Sequence, residues 1–262
     1  MQHEEALVRL FSLRGRVALV TGASGGIGSA LARALALAGA TVALSGRSTE
    51  KLTALQQRIE EQGGTALVFP ADLAELSAIP ALVDGVAAQC GRIDILVNCA
   101  GTNQRMPITE MTPDVYDRIM ATNLRGIYFL SQAVLPHMVE QGGGKIINIG
   151  SLTSTIGLAD VSVYGMTKSA LAQLTKTMAI EWAPHNIQVN CICPGFIATE
   201  LTAPLWQSPT RSAWILDRLP IRRPGTPEDF MGIMIYLASS ASDYTTGQSI
   251  YVDGGFLAGS QW

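Results

Sequence analysis

Three residues of this chain have the types and spacing that suit chemistry at a carbonyl oxygen. Tyr164 and Lys168 are four residues apart at the start of a long apolar-periodic stretch, and Ser151 ends a strand-like run before them. Positions four apart share one face of a helix, so the phenol and the ammonium group can meet. A serine at the end of the strand can then complete the set of polar groups around a substrate oxygen. The Tyr-x-x-x-Lys pair alone is a weak signal, and its context decides its meaning.

A glycine-rich turn is the second motif. The first strand-like run leads into Thr21-Gly-Ala-Ser-Gly-Gly-Ile-Gly28, and an Ala- and Leu-rich helical pattern follows. Such a turn lets the backbone approach a pyrophosphate, whose charge the helix N-terminus favours. A tight turn without a ligand is the alternative, because the glycine spacing differs from G-x-G-x-x-G. The residues predicted to contact a dinucleotide here are Gly22, Ser24, Gly25, Gly26, Ile27 and Gly28.

The end of the second strand-like run bears on the choice of dinucleotide. An acidic residue there would hold the ribose 2′-hydroxyl of NAD, whereas a nearby arginine accommodates a 2′-phosphate. Gly46 stands at the position where the acidic residue would be expected, and Arg47 follows it. A guanidinium can bind a phosphate with two hydrogen bonds, so this pair favours NADP(H). The alternative is a solvated surface arginine.

Composition excludes several other classes of protein. The chain has 262 residues and a net charge of −3, which gives no electrostatic case for binding nucleic acid or an acidic membrane. Its N-terminus lacks a signal-peptide pattern, and no apolar run reaches about 18 to 20 residues. The four cysteines and three histidines have no disulfide-framework or metal-ligand spacing. We therefore predict a cytoplasmic protein with a small-molecule substrate and no metal site.

Apolar runs alternate with helical patterns along the whole chain. Strands that are apolar throughout and alternate with helices indicate an α/β domain with a parallel sheet covered on both faces. The one irregular stretch, 196–223, is longer than a typical loop and is predicted to be a substrate lid. Predicted strands are 17–21, 41–45, 66–70, 93–98, 145–149, 187–193 and 249–252, and predicted helices are 27–38, 50–62, 79–90, 113–139, 162–183 and 227–239. Residues 1–262 are read as a single domain.

The order and spacing of these motifs resemble those of the short-chain dehydrogenase/reductase family over nearly the full length. The resemblance implies one Rossmann-type, doubly wound domain with a seven-stranded parallel sheet in the order 3-2-1-4-5-6-7. It also implies a homotetramer, for which we expect apolar residues of helices 113–139 and 162–183 to form the contacts. The matching elements are Thr21–Gly28, Asn98-x-Ala-Gly101, Asn123, Ser151, Tyr164-x-x-x-Lys168 and Pro194-Gly195, and the expected contact residues are Ile127, Phe129, Leu171, Leu174 and Met178.

Within the family, the matching residues have defined roles. Tyr164 would be the acid or base that exchanges a proton with the substrate oxygen, and Lys168 beneath it would favour the phenolate. Lys168 would also bind the nicotinamide ribose. Ser151 would hydrogen-bond the substrate oxygen, and Asn123 would hold a water that links the lysine to solvent. A polar position tolerated inside a helix is the alternative for Asn123.

The resemblance also assigns the remaining cofactor contacts. Asp72 and Leu73 would meet the adenine, and the small residues after the fourth strand would leave room for its ribose. The segment after the sixth strand would close over the nicotinamide. NADP(H) is predicted to be preferred over NAD(H), although Gly25 stands where many NADP(H)-preferring members carry a basic residue. The further predicted contacts are Asn98, Ala100, Gly101, Pro194, Gly195, Ile197 and Thr199, together with Tyr164 and Lys168.

Substrate choice is predicted from a narrower resemblance. Several stretches look most like the gluconate 5-dehydrogenases and related sugar-acid dehydrogenases, and the rival branch is the 3-oxoacyl-[acyl-carrier-protein] reductases or a general carbonyl reductase. Arg105 is placed to hold a sugar-acid carboxylate, or is a solvated loop arginine. Trp206 and Trp214 either cover the substrate or pack onto helices. A dinucleotide sensor without catalysis is the non-enzyme alternative, and the full set of catalytic residues argues against it.

Overall fold

The computed structural model describes residues 2–259, and side chains from residue 5 onward. Its centre is a seven-stranded parallel sheet in the order β3-β2-β1-β4-β5-β6-β7, so the predicted fold class and strand order are confirmed. The strands are β1 (Val17–Val20), β2 (Thr41–Gly46), β3 (Thr65–Pro70), β4 (Ile95–Asn98), β5 (Gly144–Ile149), β6 (Ile187–Pro194) and β7 (Ser249–Val252). The helices are α1 (Gln2–Phe11), α2 (Gly26–Leu37), α3 (Thr49–Glu61), α4 (Ala78–Cys90), α5 (Pro113–Met120), α6 (Gly126–Glu140), α7 (Ser162–Trp182), α8 (Ala203–Trp206), α9 (Pro209–Arg218) and α10 (Met231–Ala238).

The central strands are apolar throughout because helices cover both faces of the sheet. In β1, Ala18 and Val20 point to one face and join the apolar cluster of α2, α3 and α10. Val17 and Leu19 point to the other face and join the cluster of α4, α6 and α7. Side chains alternate between the two faces of a strand. When both faces are covered, no side chain of the strand faces solvent, and apolar residues are favoured at every position. This explains the continuous apolar runs of the sequence.

The connection from β3 to β4 crosses the sheet and creates a crevice. The chain leaves β1 for β2 and β3 on one side, then returns to pair β4 with the opposite edge of β1. Val20 at the end of β1 therefore lies beside Val97 near the end of β4. Ligands of open α/β sheets bind at such a switch point, outside the carboxyl ends of the strands. The glycine turn follows β1 and Gly101 follows β4 at this point.

The predicted continuous helix 113–139 is wrong at its centre. Thr112 caps α5 by accepting a hydrogen bond from the backbone N–H of Val115, and Pro113 is the first helical residue. The helix then widens into one π-helical turn at Ala121–Arg125 before α6 begins. Such single turns often occur at functional sites. The predicted helix 227–239 likewise opens with a 3₁₀ turn, Pro227–Phe230, ahead of α10.

The prediction of an irregular segment at 196–223 is also wrong. It contains the short helix α8 and the longer helix α9, whose N-cap Ser208 accepts a hydrogen bond from the Arg211 backbone N–H. Apolar side chains of these helices form a small cluster with residues outside them. That cluster contains Leu152, Phe196, Leu205, Ile215 and Leu219. We call residues 196–223 the lid segment, and its role as a lid stays a prediction. The N-terminal helix α1 was not predicted either.

The residues expected to form an oligomer contact need correction. Ile127, Leu171 and Met178 are buried within their own chain, and Leu174 is partly buried, so their apolar character serves the core. Phe129 is exposed. Other apolar side chains exposed on the same two helices are Tyr128, Val139, Met166 and Ile180. None of the helices described between residues 2 and 259 is long and apolar enough to cross a membrane.

Candidate active site

Helix α7 brings Tyr164 and Lys168 to the carboxyl edge of the sheet. The Nζ of Lys168 lies 5.6 Å from the centre of the Tyr164 ring. It donates a hydrogen bond to the carbonyl of Ile149, the last residue of β5, at 2.7 Å. The Lys168 side chain is buried and that of Tyr164 is half-buried. The end of β5 therefore fixes the ammonium group beside a partly open phenol.

Ser151 lies two residues after the end of β5 and caps a 3₁₀ turn, Leu152–Ser154, that is bound to α7. The Ser151 Oγ accepts a hydrogen bond from the backbone N–H of Thr153 at 3.1 Å. The Oγ of Ser154 donates to the carbonyl of Lys168 at 2.9 Å and accepts from the N–H of Ser151 at 3.3 Å. The serine turn is therefore held to the helix at the same residue that carries the ammonium group.

Asn123 lies in the π-helical turn and is completely buried. Its Oδ1 accepts from the Thr102 N–H at 2.7 Å, and its Nδ2 donates to the Thr102 carbonyl at 2.8 Å. The amide also donates to the Thr167 hydroxyl at 3.3 Å. The side chain thus pairs with backbone after β4, which offsets the poor propensity of asparagine inside a helix. The Asn123 Oδ1 and Lys168 Nζ lie 3.6 and 3.7 Å from the point where a Cβ on Gly101 would be.

The glycine turn after β1 is packed tightly against the chain after β4. Gly22 has a φ of +64°, and a Cβ there would lie 2.8 Å from backbone atoms of Cys99 and Ala100. The Thr21 hydroxyl accepts hydrogen bonds from the backbone N–H groups of these two residues. Gly28 in the first turn of α2 would bring a Cβ within 2.2 Å of the Gly22 carbonyl. Only glycine fits at these two positions, where the backbone has to come close.

The ends of β2 and β3 place the other predicted dinucleotide contacts. A Cβ on Gly46 would lie 3.1 Å from the Ser24 Oγ, so Ser24 and the start of the Arg47 segment are neighbours. Asp72 uses one carboxylate oxygen to accept from the Ala74 N–H at 3.0 Å. Leu73 is buried, and its carbonyl packs on Gly126, where a Cβ would approach to 2.2 Å.

The Asn98 side chain is not exposed in the crevice at the ends of β1 and β4. It is completely buried and its Nδ2 donates to Ser131 at 3.0 Å and to Asn148 at 2.9 Å. Asn148 in turn donates to the Thr175 hydroxyl at 2.8 Å, so the network crosses from β4 to α7. Any contact from Asn98 to a dinucleotide has to come from its backbone. The side chain fixes the strand ends instead.

The segment after β6 crosses the crevice and contacts the glycine turn. Gly195 approaches Asp253 so closely that a Cβ would lie 2.6 Å from its Cα. Ile197 forms a bridge with Gly225, and its carbonyl accepts from the Trp206 indole N–H at 3.4 Å. Thr199 reaches the start of α2, since a Cβ on Gly26 would lie 3.0 Å from its Cγ2. Pro194 ends β6, and Thr199 lies beside the first residue of α2. The closing role of this segment stays a prediction.

Arg105 lies at the mouth of this site with two residues that the sequence analysis missed. Asp160 has a φ of +66°, and its carbonyl accepts from the Met106 N–H at 2.9 Å. Its carboxylate is 4.0 Å from the Nη2 of Arg211 in helix α9. Burial and, after it, the positive charge of Arg211 lower the pKa of Arg105, against the opposite effect of Asp160 and Tyr164. Charges from three separate segments therefore meet here.

The chain matches a known family of enzymes. A family model described as enoyl-(acyl carrier protein) reductase matches residues 22–257, nearly the whole chain. The chain belongs to the short-chain dehydrogenase/reductase family. The predicted resemblance is confirmed, and this short-chain dehydrogenase is an oxidoreductase.

Several relatives of this short-chain dehydrogenase are named sugar-acid enzymes. The 2-dehydro-3-deoxy-D-gluconate 5-dehydrogenase of Escherichia coli K12 is 44% identical over 96% of this chain and 99% of its own. The gluconate 5-dehydrogenase of Gluconobacter oxydans is 42% identical over 94% of this chain and 96% of its own. A solved gluconate 5-dehydrogenase from Burkholderia cenocepacia, in complex with NADP and tartrate, superposes with a TM-score of 0.93 at 40% identity, over 96% and 99% of the two chains.

The residues of this short-chain dehydrogenase fit a nicotinamide dinucleotide. Helix α2 begins after Gly25, which supplies no side-chain cap, so the first backbone N–H groups can point at an anion. The glycines of the turn keep side chains out of that space. The first turn of α2 also contains no acidic residue that would repel a phosphate. A pyrophosphate in this cradle would satisfy the open donors.

The sequence contained a signal for helix α9, and through that helix for the position of Arg211. Ser208-Pro209 has the same pattern as Thr112-Pro113 at the start of α5, a capping residue followed by proline, and it marks the start of α9. Recognising α9 would have given Arg211 a fixed place near its N-terminus. Asp160 had no such signal, because its left-handed backbone and its contact with Met106 depend on the folded chain.

Proposed function

We propose that this short-chain dehydrogenase interconverts a secondary alcohol and a ketone in a sugar acid of the gluconate/5-ketogluconate type. The observation that carries the proposal is the position of Lys168, held by the Ile149 carbonyl and directed at Tyr164 beside the Ser151 turn. Sugar-acid specificity is supported by the names of the relatives and by Arg105 at the mouth of the site.

In this proposal the four predicted catalytic residues keep their roles, and Asn123 therefore holds a water that links Lys168 to solvent in addition to its contacts with Thr102. Ser151 and Tyr164 hydrogen-bond the substrate oxygen, and Tyr164 gives it a proton in reduction or takes one in oxidation. Lys168 stabilises the phenolate, and Asn123 holds the chain after β4 against the π turn so that the lysine has a constant environment. When bound, the dinucleotide would supply or accept the hydride at its nicotinamide carbon.

NADP(H) is proposed as the preferred cofactor. Arg47 follows Gly46 at the end of β2, and Ser24 lies beside Gly46, so a cation and a hydroxyl are available to a 2′-phosphate. The solved relative from Burkholderia cenocepacia is in complex with NADP. The remaining predicted contacts, from Asp72 and Leu73 to Ile197 and Thr199, belong to the same proposal.

We propose a cytoplasmic homotetramer. Support comes from apolar side chains on the outer faces of α6 and α7, among them Tyr128, Phe129, Met166 and Ile180, which is 77% exposed. Large apolar side chains exposed on two helices provide surface for contacts between copies of the chain. Light scattering at micromolar concentration should give the mass of four chains. A monodisperse monomer would contradict this part of the proposal.

A substrate panel tests the reaction itself. The purified protein is given NADPH with 5-ketogluconate, a 3-oxoacyl thioester and simple ketones, and kcat/KM is compared across them. We expect the keto sugar acid to have the highest value. Faster reduction of the thioester would favour an acyl reductase. Dinucleotide binding without turnover of any ketone would favour a sensor. Tyr164→Phe in parallel assigns any measured rate to this site.

A further inference from the structure

Arg105 has an unusual environment for a loop arginine. Within residues 5–259 its side chain makes no hydrogen bond and no ion pair. The charges that act on it belong to Arg211, Asp160 and the Tyr164 phenol. A guanidinium near a second guanidinium, and near the catalytic phenol, is a site of net positive charge that an anionic ligand would stabilise.

Arg211 is held at this place by contacts that do not depend on a substrate. It lies in the first turn of α9, whose Ser208 cap accepts from its backbone N–H. Its guanidinium is 4.0 Å from the Asp160 carboxylate. Ile215 of the same helix is buried in the apolar cluster that also contains Leu152, the residue after Ser151. The helix is therefore docked on the part of the chain that carries the catalytic serine.

Asp160 joins the two arginines through the backbone. Its carbonyl accepts from the N–H of Met106, the residue after Arg105, while its carboxylate faces Arg211. The residue lies two positions before α7 begins and four before Tyr164. One residue thus connects the loop after β4, the lid segment and the entry to the catalytic helix. The Arg211 side chain is 55% exposed, so a ligand can reach it.

We propose that Arg211 is a second carboxylate-binding residue, which holds the acid group of the substrate together with Arg105. The proposal rests on the proposed function, because it requires a sugar acid as substrate. Two guanidinium groups on separate segments can each bind one carboxylate oxygen, which fixes the orientation of the acid end. The lid segment would then recognise the acid directly, and neutral ketoses would lack this contact.

A comparison of two substrates tests the proposal. Arg211→Ala should lower kcat/KM for 5-ketogluconate by about tenfold to a hundredfold, the effect of one lost charge-assisted hydrogen bond. The same variant should leave the rate with a neutral ketohexose unchanged, and Arg211→Lys should keep part of the acid preference. Arg218→Ala is the matched control, since Arg218 lies on the same helix and its guanidinium stacks on Trp214 instead. The control should not alter the ratio of the two substrates.

The outcomes separate this inference from the proposed function. Equal losses with the acid and the neutral ketose in Arg211→Ala would show a purely structural role and overturn the inference alone, as would an unchanged rate with the acid. Gluconate binding to the dinucleotide-loaded wild-type protein, measured by calorimetry, does not require turnover. If the wild type neither binds gluconate nor reduces 5-ketogluconate, the proposed function and the inference both fail. In the double variant Arg105→Ala/Arg211→Ala we expect less than the sum of the single losses.

Discussion

The Nζ of Lys168 points at the Tyr164 ring while it stays bound to the last carbonyl of β5. The distance to the ring centre is 5.6 Å and the hydrogen bond to Ile149 is 2.7 Å long. A long lysine side chain normally loses considerable rotamer freedom when it is fixed in one place. Here the sheet has already ordered it, so the charge beside the phenol is in place before a substrate arrives. Preorganised charge of this kind is the usual source of electrostatic catalysis.

Tyr164→Phe tests the proton transfer. The variant keeps the ring but loses the hydroxyl, and we expect kcat to fall by about 10²-fold or more, the usual scale of acid–base catalysis. Dinucleotide binding, followed by quenching of tryptophan fluorescence, should stay near the wild-type value because the glycine turn is untouched. Turnover near the wild-type rate would remove Tyr164 from the mechanism. Tyr116→Phe, on α5, serves as the control for loss of a hydroxyl elsewhere.

Asn123→Ala tests whether the π turn is held by its amide. The change leaves the N–H and the carbonyl of Thr102 without their partner, and we expect a loss of about 1–3 kcal/mol in the free energy of unfolding. Urea denaturation measures it. Thr167→Val is the comparison. It keeps both hydrogen bonds between Asn123 and Thr102, and it removes two bonds of the Thr167 hydroxyl: the one from the Asn123 amide, at 3.3 Å, and the one to the Tyr164 carbonyl. Equal stability of Asn123→Ala and the wild type would contradict a holding role.

We expect the choice of cofactor to depend on Arg47. Arg47→Ala should raise the KM for NADPH by about tenfold to a hundredfold, since a charge-assisted hydrogen bond is lost, and should change the KM for NADH little. Adding Gly46→Asp should push the preference toward NADH, because the carboxylate repels a phosphate and accepts from a free hydroxyl. The Ser24 hydroxyl, 3.1 Å from the new Cβ, can rotate away. Arg58→Ala on α3 is the control. Equal losses with both cofactors would make Arg47 structural.

Stability at low pH should depend on Asp94. This carboxylate is 2% exposed and accepts from Arg92 and Arg16, at 2.6 and 2.8 Å, and from the Val17 N–H. Burial raises the pKa of Asp94, but the hydrogen bonds from Arg92, Arg16 and Val17 lower it further, so the pKa is below its usual value. A lowered pKa stabilises the fold above the pKa of the unfolded chain, about 4, and this contribution is lost as the pH falls below it.

Asp94→Asn measures that contribution. At pH 7 we expect the variant to be less stable by about 1–3 kcal/mol, because hydrogen bonds to a buried charge are weakened. In urea denaturation the difference from the wild type should shrink as the pH is lowered toward 3. Asp84→Asn, on the exposed face of α4, should show no such dependence. A difference that stays constant with pH would mean that the charge of Asp94 is not the cause.

The fold was predictable from sequence where local pattern and tertiary environment agree. The strands are continuous apolar runs because both faces are covered, and the glycines of the turn are required where backbones meet, so both could be recognised. The π turn at Asn123 could not, since its cause is a pair of hydrogen bonds to Thr102 on another segment. The same holds for Arg211, whose neighbour Asp160 is brought close only by the fold. Burial of Ile127 likewise depends on how α6 lies on the sheet.

Most buried apolar side chains of the lid segment belong to a small cluster apart from the two clusters that flank the sheet, and only Ile197 joins the cluster of α2, α3 and α10. Opening α8 and α9 alone would expose Leu205, Ile215 and Leu219, while the strands and the helices that flank the sheet keep their packing. Local opening therefore requires much less free energy than global unfolding. Under native conditions, amide hydrogens of α9 should exchange with solvent long before those of β4 or β5, and a protease should cut first in this segment. A sugar acid that binds both Arg105 and Arg211 would slow the exchange. The enzyme would then resist proteolysis as long as this substrate is bound.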